Sequence, residues 1–200
     1  MILLDTAQLA ATPWKNGGGF TRELACHPAG ASLEDFVWRL SIADVAQSGP
    51  FSRFPGVDRV ITLLDGAGMS LSFEDGRRVL LEQPHAPFHF RGEDAVQAEL
   101  IATPSRDLNL MLRRELVEGD VAFMNQQHDF PAVDASLAVL ITQGSWTVAS
   151  LDQPAHTLQA GQAALWIDAH DALRLTPTAP GSTLLCIRIA ARKETDHGRP

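Results

Sequence analysis

The segment Pro13-Trp-Lys-Asn-Gly-Gly-Gly-Phe-Thr-Arg-Glu23 gathers residue types that could do chemistry. Consecutive glycines cost backbone entropy, and a fold keeps them where φ must be positive or where something approaches the backbone closely. Their N–H groups can form a nest for an anion, and Lys15, Asn16 and Arg22 flank that nest with donors. The same residues would equally make a tight connection between two strands with solvated side chains. The closing Gly-Lys-Ser/Thr of a phosphate-binding P-loop is missing, so nucleotide binding is not supported.

A second stretch runs Trp38-Arg-Leu-Ser-Ile-Ala-Asp-Val45 and continues through Ser48-Gly-Pro-Phe-Ser-Arg-Phe-Pro-Gly-Val-Asp-Arg59. With a period of two, Arg39 and Ser41 share one strand face, and Trp38, Leu40 and Ile42 share the other. Arg59 falls on the side of Ile61 and Leu63. If that side is interior, its guanidinium is buried and requires a partner. The partner is either an internal carboxylate, such as Asp58 or Asp44, or the carboxylate of a ligand held by the planar fork of one or both arginines.

Other chemistries lack their residues. A net charge of −8 and a pI near 5.3 argue against a nucleic-acid binder, which needs clustered Lys and Arg. Helix-turn-helix features are missing as well. Cys26 and Cys186 are far apart, have no zinc spacing and read as packed thiols. His27, His85, His128, His156, His170 and His197 show no ligand spacing, and no Gly-x-Ser-x-Gly occurs. No apolar run reaches about 18 residues, so no membrane span is expected. The start, Met1–Asp5, has no basic n-region, and a cytoplasmic protein is expected.

The elements that must position these residues are short. Glycines and prolines cut the chain into brief apolar runs, and few windows sustain a helical period. Strands are predicted at Trp38–Ala43, Val60–Leu64, Met69–Phe73, Arg78–Glu82, Phe88–Phe90, Val96–Ala102 and Leu108–Leu112. The same texture resumes at Leu137–Thr142, Ser145–Ser150, Ala163–Ile167, Ala172–Leu175 and Thr183–Ala190. Pro104–Asp107 and Gln126–Pro131 read as surface loops, the second leading from one half to the other. Val60-Ile-Thr-Leu-Leu-Asp-Gly66 parallels Ala138-Val-Leu-Ile-Thr-Gln-Gly144, a weak repeat that implies one supersecondary unit used twice. The expected architecture is all-β: two small barrels packed face to face, with few short helices. The first half, 1–118, carries the pocket. The second, 119–191, is scaffold, and 192–200 is a polar tail.

Taken together, the blocks Pro-Trp-Lys-Asn-Gly-Gly-Gly with Thr-Arg-Glu, Trp-Arg-x-Ser-x-Ala, Gly-Pro-Phe-Ser-x-Phe-Pro-Gly-x-Asp-Arg, and Asp107-Leu-Asn-Leu-Met111 with Arg113-Arg114 resemble the HutD/Ves family. They appear in the family's order over roughly the first 115 residues. The resemblance implies a bicupin fold and an association with histidine utilisation, in which the protein senses an intermediate such as urocanate or N-formylglutamate. Its pocket blocks fall on Trp14, Lys15, Asn16, Arg22, Arg39, Ser41, Arg59, Asn109 and Met111. Asn109, Met111 and Arg113 share a strand face, so only some of them reach a ligand.

Many cupins hold a metal through His-x-His, a Glu and one further His. On that pattern Arg53 and Pro55 stand near the two histidines, Arg59 near the glutamate and His89 near the last histidine. A guanidinium would repel a cation, so neither a metal nor any cofactor is expected. His89 is read as packed or at the surface. Three functions remain in order. A protein binding a small anionic metabolite comes first. A metal-independent isomerase or lyase acting on a small acid or sugar comes second, with Glu23, Asp58 and His89 as its available acids and bases. An assembly protein comes third. A homodimer through sheet edges is a further expectation.

Overall fold

The computed structural model describes residues 1–102, 104–150, 154–168 and 171–192. Strands follow in chain order: β1 (Ile2–Asp5), β2 (Ala11–Pro13), β3 (Gly19–His27), β4 (Trp38–Val45), β5 (Gly49–Pro50), β6 (Val57–Asp65), β7 (Met69–Phe73), β8 (Arg78–Leu81), β9 (Pro87–Arg91) and β10 (Val96–Leu100). After them come β11 (Ser105–Arg113), β12 (Val117–Met124), β13 (His128–Phe130), β14 (Ser136–Gln143), β15 (Ser145–Ser150), β16 (His156–Gln159), β17 (Gln162–Trp166), β18 (Leu173–Pro177) and β19 (Thr183–Ala191). A single 3-10 turn at Thr6–Gln8, capped by the Asp5 carboxylate accepting from the Ala7 N–H, is the helical content among the described residues. None of it is long and apolar enough to cross a membrane.

Two sandwiches result. In the first half the sheet β2-β3-β4-β11-β6-β9 faces β5-β10-β7-β8; in the second, β1-β17-β14-β19-β12 faces β13-β18-β15-β16. The small sheets correspond strand for strand: β5, β10, β7 and β8 match β13, β18, β15 and β16. The repeat unit is therefore β4–β11 followed by β12–β19. The sequence repeat marks its most constrained corner. Gly66 and Gly144 close the β6–β7 and β14–β15 turns with φ of +95° and +67°. Ser105 Oγ accepts from the Gly68 N–H, and Ser182 Oγ accepts from the Ser145 N–H. Both corners need a glycine beside a serine because a Cβ there would collide with that serine.

Residues 1–27 stand outside the repeat. Their β1 pairs with β17 in the second half, while β2 and β3 extend the first half's large sheet beyond β4. The two large sheets pack against each other through Leu24, Trp38, Leu40, Ile42, Val60, Leu108, Leu110 and Leu112 on one side. Val121, Leu140, Leu165, Leu185 and Ile187 face them from the other. Strict alternation then sends the intervening residues of β4, β6 and β11 into the first barrel. The second barrel is filled with apolar side chains, Trp146 and Trp166 among them.

Two expected loops are corrected. Pro104–Asp107 is not a loop beyond its first residue, because β11 begins at Ser105, and Ser105 and Asp107 are buried. Gln126–Pro131 contains the short strand β13, which pairs with β18. The chain has already crossed between the halves before it, since β12 pairs along its whole length with β19. Of the tail expected at 192–200, only Arg192 lies within the described residues.

Candidate functional site

Register on the inner face of the six-stranded sheet brings the chemistry together. Opposed residues of antiparallel strands point to the same side, so each rung can be read across the sheet. One rung runs Arg39, Met111, Arg59, Phe90; the next runs Glu23, Ser41, Asn109, Ile61; a third runs Thr21, Ala43, Asp107, Leu63. Two bulges border these rungs, one between Glu23 and Ala25 and one at Arg106/Asp107. The first returns Glu23 and Cys26 to the same face although their spacing is odd, which is the local use of an extra residue in a strand.

Arg59 is the centre of this face. It is 7% exposed, and three rings surround its guanidinium: Phe90 at 4.8 Å, Phe51 at 5.3 Å and Phe54 at 5.8 Å. Its hydrogen bonds are long. Nε donates to Asn109 Oδ1 at 3.4 Å and a terminal nitrogen to the Ser52 carbonyl at 3.5 Å. Burial is the main cause that lowers its pKa to about 10; Asp107 opposes the shift and Arg39 adds to it. The segment Gly49–Gly56 thereby gains its reason. Phe51 and Phe54 fold over the arginine, and their N–H groups are pinned to the Val96 and Gly92 carbonyls.

Asp107 is the counterpart. It is 2% exposed, and its Oδ2 has no hydrogen-bond partner among the described residues. Burial pushes its carboxyl up to about 7, against the pull of Arg59 and with a push from Asp44. The pair is within electrostatic reach, yet Arg59 forms no ion pair within 4 Å among the described residues. The internal partners expected for Arg59 are corrected on both counts. Asp58 is taken by Arg114, whose Nε donates to it at 2.6 Å, and Asp44 is held by Arg22 and by Arg106.

The remaining sequence candidates divide by face. Arg39 faces inward, donates to Glu23 at 2.7 Å and reaches Ser41 Oγ at 3.4 Å. Met111 also faces inward, but it is packed with Phe36 and Val57 at one end of the barrel. Arg22 points to the opposite face of the sheet, beside Ile42, and is paired there with Asp44. Trp14 packs against the barrel core, and its indole N–H donates to Thr21 Oγ1 at 2.7 Å. Lys15 and Asn16 are exposed.

Of the two readings of the glycine run, the structure favours the tight connection over the anion nest, because two of its N–H donors are in use. The Gly17 N–H bonds the Trp14 carbonyl, and the Gly18 N–H bonds Asn16 Oδ1. The run is a tight connection that lets β3 lie against β4. Of the acid–base candidates, only Glu23 faces inward. His89 points to the other side, into a groove of about 500 Å³ between the halves, with Nε2 3.2 Å from Asp120 of the second half.

Asp107, Phe51, Phe54 and Phe90 escaped the sequence reading. Asp107 had a signal: β11 alternates, and the residue two before Asn109 shares its face. Phe51 and Phe54 had the signal of their place in the Gly-Pro-Phe-Ser-x-Phe-Pro-Gly block, although nothing local says what an apolar loop residue covers; Phe90, on β9, had none.

The cupin fold that the resemblance implies raises the question of a metal. The inner face offers two guanidiniums, an amide, two hydroxyls, a thiol and two carboxylates, the carboxylates sitting on different rungs, a donor set unsuited to a divalent cation. Among the described residues no group of three His, Cys, Asp or Glu side chains is arranged to hold one.

Residues 6–185 match the HutD family. Protein Ves of Citrobacter koseri is 36% identical over 176 residues, covering 88% of this chain and 87% of that protein. An uncharacterized 21.2 kDa protein of the hutC 3' region of Pseudomonas putida is 45% identical over 109 residues, 54% of this chain and 56% of that one. The solved structure of HutD from Pseudomonas fluorescens SBW25, in a formate condition, aligns with a TM-score of 0.81 at 31% identity, covering 96% of this chain and 99% of that chain. A cupin 2 conserved barrel domain protein from Leptotrichia buccalis aligns with a TM-score of 0.62 at 6% identity, a likeness of fold alone. With a family match that spans both barrels and relatives alike over most of their length, the chain belongs to the HutD family.

Proposed function

We propose that the first barrel binds a small carboxylate metabolite, of urocanate or N-formylglutamate type, and that the protein regulates or buffers histidine utilisation by holding it. The observation that carries this reading is Arg59: a buried guanidinium, caged by rings, whose only hydrogen bonds are long and whose fork engages no carboxylate among the described residues. A planar fork in a dry site is a bidentate receptor for a carboxylate. Asn109 and Ser41 stand on the next rung to address the rest of the ligand. The pathway part of the reading draws on the family and on the relative from the hutC region.

Thermal unfolding against urocanate, N-formylglutamate, glutamate, formate and sugar acids tests it. A ligand at about a hundred times its dissociation constant adds roughly 2.7 kcal/mol, a shift of about 5–10 °C at this chain length. The expected result is a selective shift that disappears in Arg59→Gln. No shift from any acid would overturn the reading.

One observation favours a second reading. A buried carboxyl held near 7, as at Asp107, is poised for proton transfer. A metal-independent isomerase or lyase would show turnover of one of these acids by NMR, lost in Asp107→Asn; an unchanged ligand spectrum excludes it.

A further inference from the structure

Asp107 and Arg59 are two buried, opposite charges on one sheet face that do not close on each other, and the Asp107 Oδ2 has no partner among the described residues. The groups that face Asp107 are few. Arg59 comes from β6, Arg39 from β4 and Glu23 from β3. Asp44 acts from the far side of the sheet, where Arg22 and Arg106 hold it. The opposing small sheet adds no charge, because Met69, Leu71, Phe73, Val96 and Ala98 fill its inner face.

The charges can be counted. Arg39 is matched by Glu23 at 2.7 Å. Arg59 and an ionised Asp107 sum to zero. A carboxylate arriving at Arg59 would leave one uncompensated negative charge in a low-dielectric interior, where such a charge is costly.

Resting on the carboxylate reading above, we propose that this is a proton-coupled site selective for monoanions: one carboxylate enters together with one proton from solvent, and Asp107 receives that proton. The complex is then neutral. A dianion, N-formylglutamate included, would still leave one negative charge after Asp107 is protonated and is rejected for that reason. Of the two ligand types proposed above, the site therefore takes the urocanate type. Burial has already brought the Asp107 carboxyl to about 7, so the proton is taken up at little cost near neutral pH. The neutral acid also gains an O–H with which to donate toward the ligand.

Isothermal titration of the full chain with formate, between about pH 6 and about pH 9 where formate stays ionised, tests the coupling. The expected affinity falls about tenfold per pH unit above neutrality. Repeating the titration in buffers of different ionisation enthalpy should count close to one proton taken up per formate at the alkaline end. Oxalate, a dianion over this range, should bind at least about tenfold more weakly than formate at equal pH. Asp107→Asn should bind formate with an affinity independent of pH and with no proton uptake. A pH-independent wild-type affinity with no uptake overturns the coupling, and so does oxalate binding as tightly as formate. The wild-type titration decides the matter even if Asp107→Asn does not fold. Formate binding that is lost in Arg59→Gln but flat with pH sinks only the coupling; no formate binding at any pH sinks the carboxylate site with it.

Discussion

Asp107 makes the stability of the protein depend on pH in a sense opposite to most carboxylates. Its pKa lies near 7 in the folded chain against 3.8 as the ordinary value, first through burial. Between these values the folded state holds a proton that the unfolded state has released, so stability falls as pH rises through the window and levels off above it. Glu93 behaves in the usual sense. The Arg114 guanidinium depresses it to about 2, and its contribution is lost only as pH falls from about 4.5 toward 2. The windows scarcely overlap. Between about pH 5 and about pH 8 the wild-type denaturant midpoint should therefore drop relative to that of Asp107→Asn. His85, whose pKa burial lowers, acts alike in both. Equal slopes in both would refute the assignment. Alternation alone paired Arg39 with Ser41 on one strand and Arg59 with Ile61 and Leu63 on another; only the register of β4, β11 and β6 brings the two sets onto one face. Alternation could not supply Arg59's surroundings. The nearby Asp58 was the natural partner by proximity, but one step along a strand turns a side chain to the opposite face, where Arg114 takes it.

The glycine connection shows what a strand pair demands of its turn. A Cβ on Gly19 would lie 2.3 Å from the Asp44 carbonyl oxygen and 3.3 Å from the Trp14 ring, so an alanine there must push β3 off β4. Gly19→Ala is expected to cost about 1–3 kcal/mol, a loss of several degrees in Tm. Since β3 carries Glu23 and Thr21 onto the inner face, carboxylate affinity should fall with it. Asn16→Ala removes the side-chain oxygen that accepts from the Gly18 N–H at 3.0 Å and should cost about 1 kcal/mol. Gly49→Ala, where a Cβ meets open space, serves as the control and should melt like the wild type. If Gly19→Ala and Gly49→Ala melt alike, the packing argument fails. The element β3 was not legible beforehand because Thr21, Arg22 and Glu23 break its apolar pattern. Its charges are compensated by residues distant in sequence, Asp44 and Arg39. The turns at Gly66 and Gly144 were legible, since positive φ calls for glycine and both follow an apolar run.

At the scale of the whole chain, the two halves are tied to each other twice. The first tie is the apolar seam between the large sheets, where Leu40, Leu108 and Leu110 meet Leu185 and Ile187, all fully buried. The second is the arm 1–27, which donates β1 to the second half's sheet and β2 and β3 to the first half's. Thr6 fixes the crossing, its N–H and hydroxyl both donating to the Gly161 carbonyl at 3.0 and 2.8 Å. The repeat revealed the two barrels because its glycines are local. The shared strap was invisible, since β1 finds its partner, residues 162–165, at the far end of the chain. A half cut out at residue 116 would expose the seam as an apolar face far larger than a soluble monomer carries. Expressed alone, residues 1–116 and 117–192 should each lack a cooperative unfolding transition and near-UV dichroism, while co-expression restores both along with carboxylate binding. A first half that melts cooperatively by itself would show that the seam only holds two finished domains together. It would also mean that the site needs nothing from the second barrel, so that the pocket and its scaffold could be separated.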